Sequence, residues 1–466
     1  MSVEVVNSAT TDTQNEYDNA EHFDVQLILD SVASTQLLDE VERQIGSSSP
    51  SGRRNLKGLL ANLLHASRKG KWLAISRSSN TYSKSCLPRR YNPEQISYRV
   101  VDMMDALKAH GLIEMKKGFN DRVTKKARNA RIRATPSLIS LFDGLPKGAC
   151  AKESPLAETI VLKGAAKKRK GRKPKLDYAD TARVIAMRKR VERINRQIAL
   201  PRIELPDGST EVGKLHRVFN NGCWTHGGRF YGGRWQALPK EERKRIRIDG
   251  IATVEADYEA MHIKMLYALH ADTDYTGDPY LIPGHDLPEL RDVLKTVLLT
   301  SINAESRTQA LASLRERYPE RTNLDDMVEA FLEHHEPIRH CFFQPTLGVE
   351  LQNRDAAIAE RVQLKLGRQG ITPLPVHDSF IVASPHEAAL RTAMAEAYRK
   401  HVGKEATISC STALHELDAN DKLPGDTCDQ PLHQLNIARP GVAKNGAWSC
   451  LGHSLQTCFT AHQRGF

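Results

Sequence analysis

The sequence predicts a mixed α/β (α+β) protein in at least two folded parts, and three observations carry that expectation. Helical stripes and short alternating strands follow one another along the chain. Val184, Met187, Val191, Ile194 and Ile198 recur at three-and-four spacing, whereas Val254 and Ala256 alternate around Glu255. Residues 163–175, KGAAKKRKGRKPK, are charged without apolar periodicity and read as a linker between two globular stretches. The length of 466 residues is enough for two or three domains, each with a core.

The chain carries 67 Lys+Arg against 56 Asp+Glu, a net charge of +11. Residues 1–50 hold ten acidic residues and one Arg, a net of −9, so the rest carries +20. Such an excess favours polyanionic partners, nucleic acid among them. No run of eighteen apolar residues occurs, and the acidic N-terminus is unlike a secretory or transit signal. The expectation is a soluble, cytoplasmic protein with no membrane partner. The eight cysteines are scattered without a C-x-x-C pair, which gives a zinc ribbon or redox motif no support. Cys450, Cys458, His453 and His462 are spaced unlike a standard metal site and read as part of a loose tail.

In chain order, residues 1–54 read as an acidic, flexible N-terminus with one short helix around Phe23 to Leu29. From 55 to 143 the texture is globular. Pro93 opens a helix spanning about 94–110, Ile96, Val100, Met103, Met104 and Leu107 form its stripe, and Gly111 stops it. LIEMKKG and ARIRAT follow as strands joined by a basic loop. Residues 144–176 form the basic linker, 177–415 a second globular core, and 416–466 a loosely structured tail.

The chemistry concentrates in the core. In TVEADYEAMHIKMLYAL, residues 253–269, Asp257 ends a strand just before a helix begins near Met261. In LPVHDSFIVA, residues 374–383, His377-Asp378-Ser379 stands between two apolar strands as a tight polar turn. Two carboxylates on neighbouring strand ends can bridge two Mg²⁺ ions about 3.5–4 Å apart. Between them, Arg291 and Lys295 lie one turn apart on a helix face, a positive pair suited to a triphosphate. Taken singly, Asp257 also suits a helix cap, and the basic pair a solvated face.

Residues 55–143 resemble a winged helix-turn-helix in the order helix, strand, basic loop, strand. The resemblance implies a helix in a DNA major groove, with Lys116, Lys117, Arg122, Lys125 and Lys126 of the wing on phosphates. The ordered set of strand-Asp-Tyr-helix, R-x-x-x-K and His-Asp hairpin resembles motifs A, B and C of the palm and fingers of DNA polymerase I-like (family A) enzymes and the related phage-type single-subunit RNA polymerases. GGRFYGG, residues 227–233, is similar to their R-x-Y segment through Arg229 and Tyr231. The resemblance covers about 215–402.

It implies Asp257 and Asp378 as catalytic metal ligands for two Mg²⁺ ions, with Mn²⁺ an alternative. Arg291 and Lys295 would hold the incoming nucleoside triphosphate, and Arg229, Tyr231 and His377 would lie at primer and template. Two positions depart from the pattern. Asn303-Ala304 stands where Tyr-Gly is usual, and His262, five residues after Asp257, replaces the Glu that excludes the ribose 2′-OH in the DNA enzymes. His262 and Asn303 therefore become the candidates for sugar and base-pair checking. Ser379 after the hairpin Asp is as in the RNA enzymes. The expectation is a small DNA polymerase working on a DNA primer and template, with its own DNA-binding module, for replication of a mobile element. A primase or RNA polymerase, and a replication initiator or transcription regulator with an inactive palm, are the alternatives.

Overall fold

The computed structural model describes residues 19–29, 31–46, 49–120, 127–146, 151–165, 173–210, 212–285 and 288–411. Arg122, Lys125, Lys126, the middle of the basic run and the C-terminal Cys/His group lie outside them. The chain divides into two compact units, Met1–Glu158 with Pro174–Ala179, and Thr159–Lys173 with Asp180–Phe466.

The first unit begins with β1 (Glu21–His22), β2 (Leu27–Leu29), α1 (Ser31–Ile45), α2 (Pro50–Arg68) and β3 (Leu73–Ile75). There follow α3 (Arg99–Ala109), β4 (Ile113–Lys116), β5 (Phe119–Asn120), β6 (Ala127–Arg128), β7 (Ala130–Ala134), α4 (Pro136–Asp143) and β8 (Ala151–Glu153). The main sheet has the order β1-β3-β7-β4, with β5 and β6 paired as a separate hairpin. Helix α2 starts because the Ser49 hydroxyl accepts from Gly52 N and Pro50 occupies its first turn. Leu56, Leu59, Leu60 and Leu63 of α2 meet Val100, Met104 and Leu107 of α3 and Ile132 of β7 in one core.

The N-terminal stretch differs from the expectation of a flexible segment with a short helix. Leu27–Leu29 is a strand paired antiparallel with Ala151–Glu153, and Leu37, Leu38 and Val41 of α1 join the core. Buried Asn62 explains the tie: its Oδ1 accepts from Asp24 N at 2.7 Å and its Nδ2 donates to Asp24 O at 2.9 Å. Helix α3 also starts later than Pro93. The Asn92 side chain accepts from Ile96 N and donates to Ile96 O, which holds the chain in a loop through Ile96.

The second unit contains β9 (Ile160–Leu162), α5 (Ala182–Ile198), β10 (Ile203–Glu204), β11 (His216–Asn220), β12 (Cys223–Tyr231), α6 (Lys240–Arg243), β13 (Arg247–Ile248) and β14 (Ile251–Tyr258). A helical stretch follows: α7 (Met261–His270), α8 (Arg291–Asn303), α9 (Arg307–Arg317), α10 (Leu324–His334) and α11 (Leu347–Arg368). The chain then returns as the hairpin β15 (Leu374–Val376) and β16 (Ser379–Ala383), α12 (Glu387–Val402) and β17 (Ile408–Ser411). The stripe expected on α5 is buried at all five positions.

The larger sheet has the order β10-β13-β14-β16-β15, with β17 also pairing β14. The second sheet, β12-β11-β9, joins an antiparallel hairpin to a parallel strand. Residues 144–176 are thus more than a linker, since β8 pairs within the first unit and β9 within the second. Both are short apolar or mixed runs that find an open strand edge, a pairing that charge composition does not reveal.

Candidate functional site

Strand β14 is central, and its end carries Asp257. Ser379 of β16 stands directly opposite Asp257, and Tyr258 N donates to Asp378 O at 3.4 Å. The β15–β16 turn is two residues long, His377-Asp378, because Val376 already pairs with Ser379. His377 has φ +60°, a conformation that glycine usually supplies at such a turn. The apolar flanks are buried from Leu374 to Val376 and from Phe380 to Ala383, so the polar tip rests on a rigid apolar base. The structure thus brings the two predicted carboxylates together.

Asp257 does not act as a helix cap. The residue before α7 is Ala260, in left-handed backbone with no side-chain cap, and Asp257 Oδ1 is buried with no hydrogen-bond partner. Burial, then the neighbouring carboxylates of Asp378 and Glu255, pushes the Asp257 carboxyl up to about 7, while Lys240 and Lys295 pull it down. An unpartnered carboxylate oxygen among other acids, facing two lysines, is a hard-oxygen donor set that suits Mg²⁺ or Mn²⁺.

Glu255, two residues before Asp257, shares its face of β14. Its carboxylate accepts from Arg243 at 2.7 and 2.9 Å and from Ser379 Oγ at 2.6 Å. This network joins the strand carrying Asp257 to the hairpin carrying Asp378. Sequence reading noted Ser379 but missed Glu255, whose alternation looked like an exposed position.

The GGRFYGG segment ends β12. Gly228, at φ +93°, lets α11 approach: a Cβ there would stand 2.8 Å from Phe219 and 3.2 Å from Asn353. Arg229 then reaches Asp355 of α11, its Nε lying 2.9 and 3.2 Å from the two carboxylate oxygens and its Nη2 also donating to Oδ2. His262 Nε2 lies 3.0 Å from the same Oδ2 and 3.3 Å from Arg229 Nη2. Against the effect of burial, Arg229 and then His262 hold the Asp355 carboxyl below its usual range. Against burial likewise, Asp355 holds the Arg229 guanidinium above its usual range. Asp355 was not anticipated. The signal for it was an acid inside the apolar stripe of α11, among Leu351, Ile358, Ala359 and Val362.

Tyr231 and His377 come together edge to face, with ring centroids 5.6 Å apart. Arg291 is held by Asp278 at 2.7 Å and lies 5.1 Å over the Tyr280 ring. Lys295, one turn on, is exposed. Asn303 bonds back to Leu299 O at 2.7 Å, and a Cβ at Gly348 would collide with its amide. Lys240 is a further cation that sequence reading did not single out. In the first unit, Lys116 and Arg133 lie over the Trp72 ring, at 5.2 and 4.5 Å. Exposed Lys117 lines a groove with Arg77, Lys108, Phe119, Arg128 and Arg131.

No family model matches the chain, and no curated protein does so. Among solved structures it is similar to the POL domain of Pol1 from M. smegmatis in complex with DNA primer-template and dNTP. The identity is 15% and the TM-score 0.25, over 83% of this chain and 66% of that one. The chain therefore spans less than two thirds of the length of that neighbour. No helix among the described residues is long and apolar enough to cross a membrane.

Proposed function

We propose that the chain is a template-directed nucleotidyltransferase, a small DNA polymerase that extends a primer on DNA. The observation that carries this reading is Asp257, its Oδ1 buried and unpartnered, beside the hairpin Asp378. Asp257 and Asp378 would hold the metal ions. Two Mg²⁺ or Mn²⁺ ions bound there would stabilise the attacking and leaving oxygens of an in-line phosphoryl transfer. Lys295 neutralises the incoming triphosphate, and Arg291 joins it by exchanging Asp278 for phosphate oxygens. Tyr231 and His377 meet the primer end as an edge-to-face pair. Arg229, clamped by Asp355, is rigid where primer and template pass, and it presents His262 toward the sugar. The Arg243–Glu255–Ser379 network keeps both catalytic strands in register.

Primer extension with dNTPs and Mg²⁺ or Mn²⁺ tests the reading. Asp257→Ala and Asp378→Ala each abolish synthesis while the protein stays folded. Robust synthesis by folded Asp378→Ala ends the proposal. Preference for dNTPs is expected of the wild type, and His262→Ala raises rNTP use relative to dNTP at least about tenfold, about 1.4 kcal/mol of discrimination. Wild-type preference for rNTPs that weakens in His262→Ala would move the reading to a primase or RNA polymerase. Retention of both Asp257 and Asp378 in these settings speaks against a regulator with a spent palm.

The first unit is proposed to bind duplex DNA as a winged helix. The sheet order β3-β7-β4, with α3 lying between β3 and β4 in the chain, the β5–β6 hairpin as a wing, and the basic groove lined by Lys117, Arg128 and Arg131 support that role. A polymerase joined to such a module suits replication of a mobile element. In the full chain, Lys117→Ala or Arg128→Ala flattens the log–log salt dependence of DNA binding by about 0.9 for each phosphate the protein no longer neutralises. Unchanged slopes would remove the wing from the interface.

A further inference from the structure

Away from the carboxylate pair, His270, His340 and Cys341 place three donor atoms, two imidazole nitrogens and a sulfur, within 4.8 Å of one another. His270 is the last residue of α7. His340 and Cys341 close the 3-10 segment Glu336–Cys341 that follows α10. Cys341 is buried, while both histidines are exposed.

We propose that His270, His340 and Cys341 form a binding site for a zinc-type transition-metal ion, with a water as the fourth ligand. The donor set decides the class of ion. One thiolate with two imidazoles is borderline-soft and suits Zn²⁺ or Co²⁺, and it disfavours Mg²⁺ and Ca²⁺, which seek oxygen. The spacing agrees. Cys341 Sγ lies 3.4 Å from His340 Nε2, close to the ~3.5 Å that separates S and N ligands on a tetrahedral ion with bonds of about 2.3 and 2.0–2.1 Å. The rings of His270 and His340 are 5.8 Å apart at 73°, so two nitrogens can converge on one point from different directions.

His270 is poised to ligate. Its ring is exposed at the C-terminal end of α7, where an ion can reach it from solvent. Cys341 is buried, and binding of the ion would displace its thiol proton to solvent. Arg354 is the cation that acts on His270, and its side chain is exposed, which screens its repulsion of an ion.

The consequence of binding is mechanical. The ion ties the C-terminal end of α7, the helix that carries His262, to the segment leading into α11, the helix that carries Asp355. It is a structural clamp between those two elements, independent of the polymerase reading.

The test uses the full-length, chelator-treated, reduced protein and Co²⁺ as the probe. Wild type acquires a near-ultraviolet thiolate-to-cobalt charge-transfer band that Zn²⁺ displaces, and Zn²⁺ raises its melting temperature. Asp257→Asn keeps the band, which separates this site from the carboxylate pair. Cys341→Ser loses the band, and His270→Gln or His340→Gln weakens Co²⁺ binding at least tenfold. Because both histidines are exposed, those two variants keep the core intact if Cys341→Ser fails to fold. No band in wild type, or a band that survives in Cys341→Ser or in both histidine variants, overturns the proposal.

Discussion

Asp355 has a fully buried carboxylate in the middle of a helix, and its position is tenable only because Arg229 and His262 share it. Asp355→Ala leaves the Arg229 guanidinium buried without its partner and should destabilise the protein by about 3–5 kcal/mol. The double replacement Arg229→Met with Asp355→Leu should lose much less. Urea unfolding of the three proteins checks this, and a single-variant loss under about 1 kcal/mol would contradict it. His335 makes a different prediction. Its Nδ1 accepts from the Tyr267 hydroxyl and its Nε2 donates to Pro279 O, both at 3.0 Å. Burial lowers its pKa from 6.5 to about 4; the Pro279 bond opposes this and His334 adds to it. The unfolded chain therefore binds the proton first as pH falls. The contribution of neutral His335 is complete above pH 6.5 and is gone below about pH 4, with a ceiling of about 3 kcal/mol. His335→Gln should be less stable at pH 7 and should lose that part of the acid dependence.

Helices α8 and α11 meet where Asn303 faces Gly348. The Asn303 amide donates to Leu299 O and lies against the glycine. Gly348→Ala forces a methyl group onto that amide and should cost about 1–3 kcal/mol. Adding Asn303→Ala removes the clash, so the double variant should recover most of the loss in a thermodynamic cycle. Additive losses would place the strain elsewhere. The hairpin β15–β16 obeys a similar logic: Ser379→Ala removes one hydrogen bond to Glu255 but leaves the Arg243 fork, so it should cost only about 1–2 kcal/mol.

The chain passes from the first unit into the second and back before leaving it for good. Residues 174–179 return to the first unit, where Tyr91 Oη donates to Leu176 O at 3.0 Å. Arg90 bonds Asp177 and Tyr178 O and lies 4.0 Å over the Tyr178 ring. A fragment ending at residue 179 should therefore melt higher than one ending at 158, and a 55–143 fragment, lacking α1, β1, β2 and β8, should fold poorly. Circular dichroism melts of the three decide it. Equal melts would show that the returning segment adds nothing.

Sequence alone was enough for the periodic and the punctuated features. The stripe of α5, the strand that carries Asp257, the helix after it and the polar turn at His377-Asp378 are local, because side-chain period and turn chemistry act over a few residues. Even so, Ser379, read as part of the turn, already belongs to β16, and β14 runs one residue past Asp257. The meeting of Asp257 and Asp378 across a long separation had no local mark and was expected only through the resemblance to the polymerase motifs. What depended on the folded molecule was every interaction made across long separations. Asp355 meets Arg229 over 126 positions, Ser379 meets Glu255 over 124, and the return of 174–179 has no local mark. Polar side chains in apolar stripes look like exceptions until a partner from a distant element satisfies them. A buried charge is tolerated only when such a partner is present, and which partner arrives is decided by how the elements pack.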